Sequence, residues 1–352
     1  MSHQDRQNKR WWYRAQLMPA LIAVTALAVV AGVGVSSGAR ASTPTVAFIS
    51  QGTSNSWAAQ LDAAAKEQAA KDGLKEIYFN GQGSGTAQLP LIAQAAAEHP
   101  SAIVLVPLAA ASDTGPVARA MASGIPVILC DSAVNGTNYT SLVNPNAATA
   151  AVGLAQWLAK KMGGKGNLLY IGGLPGNGTT INYDKGFYSV MKQYPNIHIV
   201  NGGNANYSIS TAKQLAATAI ASGKTFQGTW GVGGEAVTGI LQAYADSSVR
   251  PIPPNAGAAA TNGALRLAVQ DKVDAAMLQF PPTDAKVCID TAAKAIKGQK
   301  VPKYINISAL PQFGDIYPPL SKWYKPKYSD DMYVGSDTAL SQADLASLHL
   351  IK

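Results

Sequence analysis

Few residues in this chain of 352 could perform catalysis, whereas several could bind a small polar solute. The four histidines are His3, His99, His198 and His349, and none forms an interpretable motif with a serine or cysteine nucleophile. The histidines and cysteines also lack the spacing of a metal site. The sequence therefore predicts a protein that is not an enzyme and that uses no metal and no cofactor.

The candidate binding residues directly follow predicted strands. Ser50, Asn55 and Trp57 come after the first strand, and Asp131 comes after the fourth. Ligands of open α/β sheets lie beyond the carboxyl ends of the strands, which is where these side chains are expected. A carboxylate can accept two hydroxyl hydrogen bonds, and an aromatic ring suits the C–H face of a sugar. Alternatively, Trp57 packs on the first helix, and Asp131 caps or turns the next segment.

The first 41 residues have the layout of a secretory signal peptide. Basic residues open the chain, an apolar run extends over residues 17–35, and Ala39-Arg40-Ala41 fits a cleavage site. We expect a periplasmic protein whose mature chain begins at Ser42. The apolar run is just long enough to span a bilayer, so an uncleaved membrane anchor is the alternative.

The basic character of the chain is partly due to this segment. Residues 1–41 hold five basic residues and one acidic residue, so their removal lowers the formal net charge of +8 by four, to +4. The longest basic cluster in the remainder, residues 322–327, is interpreted as a solvated face. A nucleic-acid partner would need a concentrated basic stripe, and none is predicted.

Short β-rich runs alternate with alanine-rich helical segments in the rest of the chain. Helices are predicted over Ser56–Lys71 and Asn262–Gln270, and residues 102–106 are typical of a strand covered on both faces. Repeated βα units predict parallel sheets flanked by helices, and two consecutive sets predict two lobes with a break near residues 142–145. Residues 306–352, the C-terminal extension, are predicted to be mostly irregular and to lie on the folded body.

The two cysteines, Cys130 and Cys288, fall at the end of a predicted strand and within a predicted helix. Two cysteines are too few for a disulfide scaffold. We expect two separately buried thiols, although an oxidising compartment would also permit a bridge.

Five stretches of the chain carry a family resemblance. They are VAFISQGTSNSW at 46–57, AIVLVPLAA and SGIPVILCD within 102–131, VGLAQWLAKKMGGKGN at 152–167, GGLPGNGTTINYDKGF at 172–187 and KVDAAMLQFP at 272–281. In this order they resemble the periplasmic binding proteins of the ribose-binding type, which are receptors of ABC importers and mostly bind monosaccharides. The resemblance covers roughly residues 45–305.

The resemblance implies an α/β fold of two doubly wound parallel-sheet lobes joined by a three-strand hinge. The N-terminal lobe would comprise residues 44–143 and 280–305, and the C-terminal lobe residues 144–279. A monomer would capture a monosaccharide or a related polar solute between the lobes and deliver it to an ABC permease in the membrane. The alternative is a periplasmic receptor that docks on a chemoreceptor or a sensor kinase.

Several positions match ligand-binding positions of that family. Asn55 and Trp57 match a binding asparagine and a stacking aromatic residue, and Asp131 matches a binding aspartate. Tyr207 matches an aromatic residue that often lines the cleft. Gln279 matches a glutamine on the third crossing strand.

Other positions depart from the family pattern. Ser132 and Tyr183, with Asn182 beside the latter, stand where the family has arginines. The binding asparagine of an Asn-Asp-Glu signature is lost in Gly233-Gly234-Glu235, whose glutamate is interpreted as a helix N-terminal residue. A further binding aspartate has no counterpart, and only Asn262 could replace it. We therefore expect a solute that is less hydroxylated or less polar than ribose or galactose.

Overall fold

The structure is a computed structural model and describes residues 42–52, 55–309 and 313–352. The predicted signal peptide lies outside the described residues. The strands are β1 (Thr45–Ser50), β2 (Lys75–Asn80), β3 (Ala102–Leu105), β4 (Val127–Cys130), β5 (Ser141–Asn144), β6 (Lys165–Gly172), β7 (Asn196–Asn204), β8 (Gly228–Gly231), β9 (Asn255–Gly257), β10 (Ala275–Gln279), β11 (Tyr304–Asn306) and β12 (Gly314–Ile316). The helices are α1 (Ser56–Lys71), α2 (Gly85–Ala97), α3 (Thr114–Ala122), α4 (Ala147–Lys161), α5 (Gly178–Met191), α6 (Ile209–Ala221), α7 (Gly234–Asp246), α8 (Asn262–Gln270), α9 (Asp284–Ile296), α10 (Ser336–Ala339) and α11 (Gln342–Ser347). None of the helices in these ranges is both long and apolar enough to cross a membrane.

The strands form two six-stranded sheets. The first has the order β11-β5-β4-β3-β1-β2 and defines lobe 1, and the second has the order β12-β10-β9-β8-β6-β7 and defines lobe 2. All pairs are parallel except β10 with β12. Helices cover both faces, so strands such as β3 and β4 are buried throughout, as their unbroken apolar sequences predict. The predicted fold of two doubly wound lobes is confirmed.

The chain passes between the two sheets three times. The crossings are the segments from β5 to α4, from β10 to α9 and from β11 to β12. Helix α9 follows a strand of lobe 2 but packs on α1 and β4 of lobe 1. These crossings are the three-strand hinge that the resemblance implies, while the exact residue limits of the two lobes stay a proposal.

Three short strands were not predicted. Strand β5 occupies the segment predicted to be the break between the lobes, and β11 and β12 lie in or beside the C-terminal extension. Each has three or four residues, which is too short for periodicity to reveal a strand. Strand β12 pairs antiparallel with β10, so the extension contributes to the sheet of lobe 2.

The expectation of two free thiols is wrong. Cys130, the last residue of β4, forms a disulfide with Cys288 of α9, and both side chains are fully buried. The pairing depends on the return of α9 to lobe 1, across 158 residues of sequence. Local sequence patterns carry no information about such a contact.

Helix α5 packs closely on helix α4 because one residue has no side chain. A Cβ at Gly186 would lie 2.3 Å from the carbonyl oxygen of Ala148 and 2.7 Å from the Cβ of Ala151. The close approach fixes α5 against lobe 2, and α5 carries Tyr183 towards the space between the lobes.

Candidate ligand-binding cleft

A cavity lies between the two lobes at the carboxyl ends of their strands. Its empty volume is about 470 Å³, a value that includes the open solvent at its mouth. Its walls come from both lobes and from the C-terminal extension. The lining residues are Gln51, Asn55, Trp57, Asp131, Asn177, Thr179, Tyr183, Tyr207, Val232, Gly233, Gly234, Glu235, Ala258, Ala259, Phe280 and Tyr333. This position is the one at which open α/β sheets bind ligands.

Asp131 is the central polar group of the lobe 1 wall. It directly follows β4 with a left-handed φ of 62°, and its backbone N–H donates to the carbonyl of Val143 at 2.8 Å. Its backbone carbonyl accepts hydrogen bonds from the side chains of Asn144 and Thr179. Its Oδ2 accepts a 3.4 Å hydrogen bond from Thr179 Oγ1, and its Oδ1 has no partner within the described part of the chain. Burial raises the pKa of Asp131 to about 7.

Further buried polar groups around Asp131 have no hydrogen-bond partner among the described residues. They are the hydroxyls of Tyr183 and Ser132 and both carboxyl oxygens of Asp284. Burial is the larger cause of a raised pKa at both Asp284 and Tyr183, and the charge of Asp131 is the second. The phenol of Tyr183 therefore stays protonated. An unpaired buried polar group costs about 1–3 kcal/mol, so such groups are rare away from functional sites. Of these groups Tyr183 lines the cavity, so at Asp131 and Tyr183 the cleft has hydrogen-bonding capacity that the protein itself does not use.

Aromatic rings form much of the remaining lobe 1 wall. Trp57 lies in the first turn of α1 with 7% of its surface exposed, and its ring centroid is 5.9 Å from that of Phe280. Asn55 caps α1, because its Oδ1 accepts a hydrogen bond from the N–H of Ala58 at 2.9 Å. Trp57 thus belongs to the first helix and also faces the cavity.

Asn177 organises the lobe 2 wall and was not predicted from the sequence. Its Oδ1 accepts hydrogen bonds from the N–H of Thr179 at 3.0 Å and from the hydroxyl of Tyr207 at 3.1 Å. Its Nδ2 donates to the carbonyl of Pro107 in lobe 1 at 3.1 Å, so it also joins the two lobes. The Asn-Gly-Thr-Thr sequence at the start of a helix was a capping signal that could have identified it.

Four predicted residues do not line the cavity, and their ligand-binding role stays a prediction. Ser50 is engaged within lobe 1, where its hydroxyl donates to Asp62 at 2.6 Å. Ser132 and Gln279 are buried just behind the wall, and Asn182 is half-buried. Asn182 neighbours Tyr183 on α5, where adjacent side chains point about 100° apart, and of the two only Tyr183 lines the cavity.

Asn262 does not replace the missing aspartate. Its Nδ2 donates to the backbone carbonyls of Lys325 and Tyr328 at 3.0 Å each, and its Oδ1 accepts from the N–H of Lys325 at 2.9 Å. All of these groups belong to the C-terminal extension. Asn262 therefore holds the extension on α8 and does not line the cavity.

Glu235 and Tyr333 face the cavity, although neither was predicted to belong to the binding site. Glu235 lies in the first turn of α7, as expected, and its Oε1 accepts a 2.7 Å hydrogen bond from the hydroxyl of Tyr333. Burial raises the pKa of Glu235 to about 7. The 98 residues between the two explain why no sequence pattern could pair them.

The cleft combines two carboxyl groups, several hydroxyls and amides, and a set of aromatic rings. None of its lining residues is a lysine, an arginine or a histidine. Such a wall can accept and donate hydrogen bonds and can pack on the apolar face of a small ring or chain.

Comparison with known proteins identifies the family. A sequence model of the periplasmic binding protein domain matches residues 46–300. The chain belongs to the periplasmic binding proteins. It is a solute-binding protein of the ribose-binding type and not an enzyme, which confirms the resemblance stated above.

Similar proteins include two curated relatives and many solved structures. The galactofuranose-binding protein YtfQ of Escherichia coli is 26% identical over 223 residues, which cover 61% of this chain and 70% of that protein. The xylitol-binding protein of Mycolicibacterium smegmatis is 29% identical over 153 residues, covering 43% and 44%. The periplasmic binding component of the arabinose ABC transporter of Shewanella sp. ANA-3, bound to L-arabinofuranose, superposes with a TM-score of 0.73 at 18% identity, covering 86% and 97%. At that identity the likeness shows the fold alone.

Proposed function

We propose that this protein is exported, captures a neutral sugar or polyol between its lobes as a monomer, and delivers it to an ABC permease. The observation that carries the choice of ligand is the group of unpartnered polar atoms at the lobe junction. Oδ1 of Asp131 can accept a hydrogen bond, and the hydroxyl of Tyr183 can donate one. A bound solute with hydroxyl groups would satisfy both.

The charge of the wall supports a neutral ligand. A negatively charged solute would meet Asp131 and Glu235 with no basic side chain among the lining residues. An ionised carboxyl in a buried site is costly, and the raised pKa values of both groups express that cost. A neutral solute with hydroxyls and an apolar face fits both the carboxyls and the rings.

The two curated relatives named above support the same class, since their names specify galactofuranose and xylitol. The lobe 2 positions that depart from the family's ligand-binding pattern favour only some of the solutes within this class. Tyr183 supplies one neutral hydroxyl in place of a charged, forked arginine side chain. We infer a preference for a solute that is less hydroxylated or less polar than ribose or galactose.

Contacts across the cleft support delivery by lobe closure. The N–H of Ala110 in lobe 1 donates to the carbonyl of Gly176 in lobe 2 at 3.2 Å, and Asn177 reaches Pro107. Because a ligand can favour closure only through contacts that the open form lacks, the junction around Asp131 and Thr179 is suited to couple binding to closure. A permease could then distinguish loaded protein from empty protein.

The disulfide supports export. Bridges such as Cys130–Cys288 persist in oxidising compartments and are rare in the cytosol. We infer that cleavage after Ala41 releases a periplasmic chain, and mass spectrometry of the secreted protein would then show an N-terminus at Ser42. A product that retains residues 1–41 and sediments with membranes would contradict the cleavage.

Isothermal titration calorimetry with a panel of glycerol, 2-deoxy-D-ribose, L-rhamnose, D-ribose and D-galactose tests the ligand class. We expect the unmodified protein to bind one of the first three most tightly, and Asp131→Ala to lose that binding. Tight, selective binding of D-galactose that is lost in Asp131→Ala would contradict the preference for a less hydroxylated solute. No binding to any member would contradict the ligand class itself.

A further inference from the structure

We propose that the C-terminal extension completes the binding cleft, and that its Tyr333 acts with Glu235 as a ligand-recognition pair. The inference rests on the proposed function, because it concerns the same cleft. It assigns a role in specificity to a segment that lies beyond residue 300, where the match to the family ends.

The pair lies in the cavity wall and is hydrogen-bonded. Tyr333 has 1% of its surface exposed, lines the cavity, and donates its hydroxyl hydrogen to Glu235 Oε1 at 2.7 Å. A phenol oxygen that donates one hydrogen bond can still accept another, and a carboxyl group has several acceptor sites. The pair can therefore receive hydrogen bonds from a hydroxylated solute in the cleft.

Two glycines make room for aromatic rings at this wall. A Cβ at Gly234 would lie 2.9 Å from Cε1 of Tyr333 and 3.1 Å from its hydroxyl oxygen. A Cβ at Gly233 would lie 2.8 Å from Cδ1 of Tyr207. Side chains at these two positions would displace both rings. These glycines stand in place of polar residues of the family signature and leave room for the two tyrosine rings. The hydroxyl of Tyr333 occupies space that a larger residue at position 234 would fill.

Lobe 2 holds the segment that carries Tyr333. The N–H groups of Asn262 and Val334 donate to the carbonyls of Met332 and Ala260 at 2.8 and 3.0 Å. An ion pair between Arg266 and Asp330, with an N–O distance of 2.6 Å, fixes the segment on α8. Because these bonds flank Tyr333 on both sides, its backbone has little freedom.

Lobe 1 holds the same segment from the other side. The hydroxyl of Ser56 and Nε2 of Gln60 donate to the carbonyl of Asp331 at 2.6 and 3.0 Å. Oε1 of Gln60 accepts from the N–H of Tyr333 at 3.3 Å. The extension is thus fastened to α1 and to α8 on either side of the cleft. Preorganisation of this kind is required of a side chain that is to select a ligand.

The experiment compares Tyr333→Phe and Glu235→Gln with the control Tyr328→Phe. Tyr328 is also a buried tyrosine of the extension, but it does not line the cavity. Each variant is titrated by calorimetry with the panel member that the unmodified full-length protein binds most tightly, after circular dichroism has shown that the variant is folded. Both cleft variants should raise Kd about 10- to 100-fold, and the control should leave it unchanged.

The double variant decides whether the two residues act as a pair. Tyr333→Phe with Glu235→Gln should raise Kd little more than one substitution alone, because coupled residues have non-additive effects. If the unmodified protein binds a panel member and both cleft variants bind it as tightly as the control, the inference is wrong while the proposed function stands. If the unmodified protein binds no panel member, the proposed function is contradicted, and the inference that rests on it is contradicted with it.

Discussion

Replacement of Asp131 by asparagine should stabilise the empty protein increasingly from about pH 4 to about pH 7, and fully above that, while it weakens ligand binding. Asparagine has nearly the same shape and carries no charge. The carboxyl of Asp131 is buried in the cleft wall, and its Oδ1 has no partner among the described residues. The ionised form is therefore poorly stabilised until a ligand arrives.

The size of the effect follows from the pKa of this carboxyl. Burial raises it from 3.8 to about 7 in the folded protein. Below pH 3.8 the group is protonated in both states, and between about pH 4 and 7 only the unfolded chain is ionised, so stability falls as the pH rises. Three pKa units at about 1.4 kcal/mol each give an upper limit of about 4 kcal/mol at pH 8. Because water enters an empty cleft and screens the charge, we expect about 1–3 kcal/mol.

Urea unfolding at pH 5, 6, 7 and 8 measures this difference. The Asp131→Asn variant should gain stability over the unmodified protein as the pH rises, and it should bind the ligand at least tenfold more weakly. Asp246→Asn serves as a control, because the carboxyl of Asp246 is 65% exposed. A variant Asp131→Asn that is less stable than the unmodified protein at pH 8, or a difference in stability that does not change with pH, would contradict a buried and poorly stabilised carboxylate at this position.

Three further outcomes are expected. Tyr183→Phe should weaken ligand binding about tenfold in calorimetry without lowering the free energy of unfolding, since the lost hydroxyl has no partner within the described chain; a clear loss of stability would count against this. Replacement of Cys130 and Cys288 by alanine should lower the free energy of unfolding by about 2–5 kcal/mol in urea titrations, because the bridge closes a loop of 158 residues; unchanged stability would disprove the contribution of the bridge. Gly186→Ala should lower the thermal midpoint, with a cost of about 1–3 kcal/mol, because the new Cβ would meet a helix backbone 2.3 Å away; a midpoint equal to that of the unmodified protein would contradict the packing of α5 on α4.

The lobes were predictable because their signals are local. Helices α1 and α8 have the predicted limits, since a capping side chain and an apolar stripe mark them within a few residues. Strands such as β3 are marked by short apolar runs. Strand β11 and the disulfide depend instead on the second crossing, which returns α9 to lobe 1, and no stretch of sequence encodes that return by itself.

The cleft was predictable where binding residues follow strands. Asn55, Trp57 and Asp131 all line the cavity, because parallel strands end at the same edge. Asn182 was predicted because it neighbours Tyr183, but of the two only Tyr183 lines the cavity. Tyr333 reaches the cleft only through the tertiary path of the extension, so it had no signal in the sequence.

Native mass spectrometry of gently purified protein shows directly whether the cleft holds a hydroxylated solute. We expect a complex of one chain with one small, neutral, hydroxylated compound, and we expect that complex to be lost in Asp131→Ala. An anionic compound bound in the cleft, or a co-purified solute that Asp131→Ala retains in full, would contradict the claim that this cleft recognises its ligand through hydroxyl groups at Asp131.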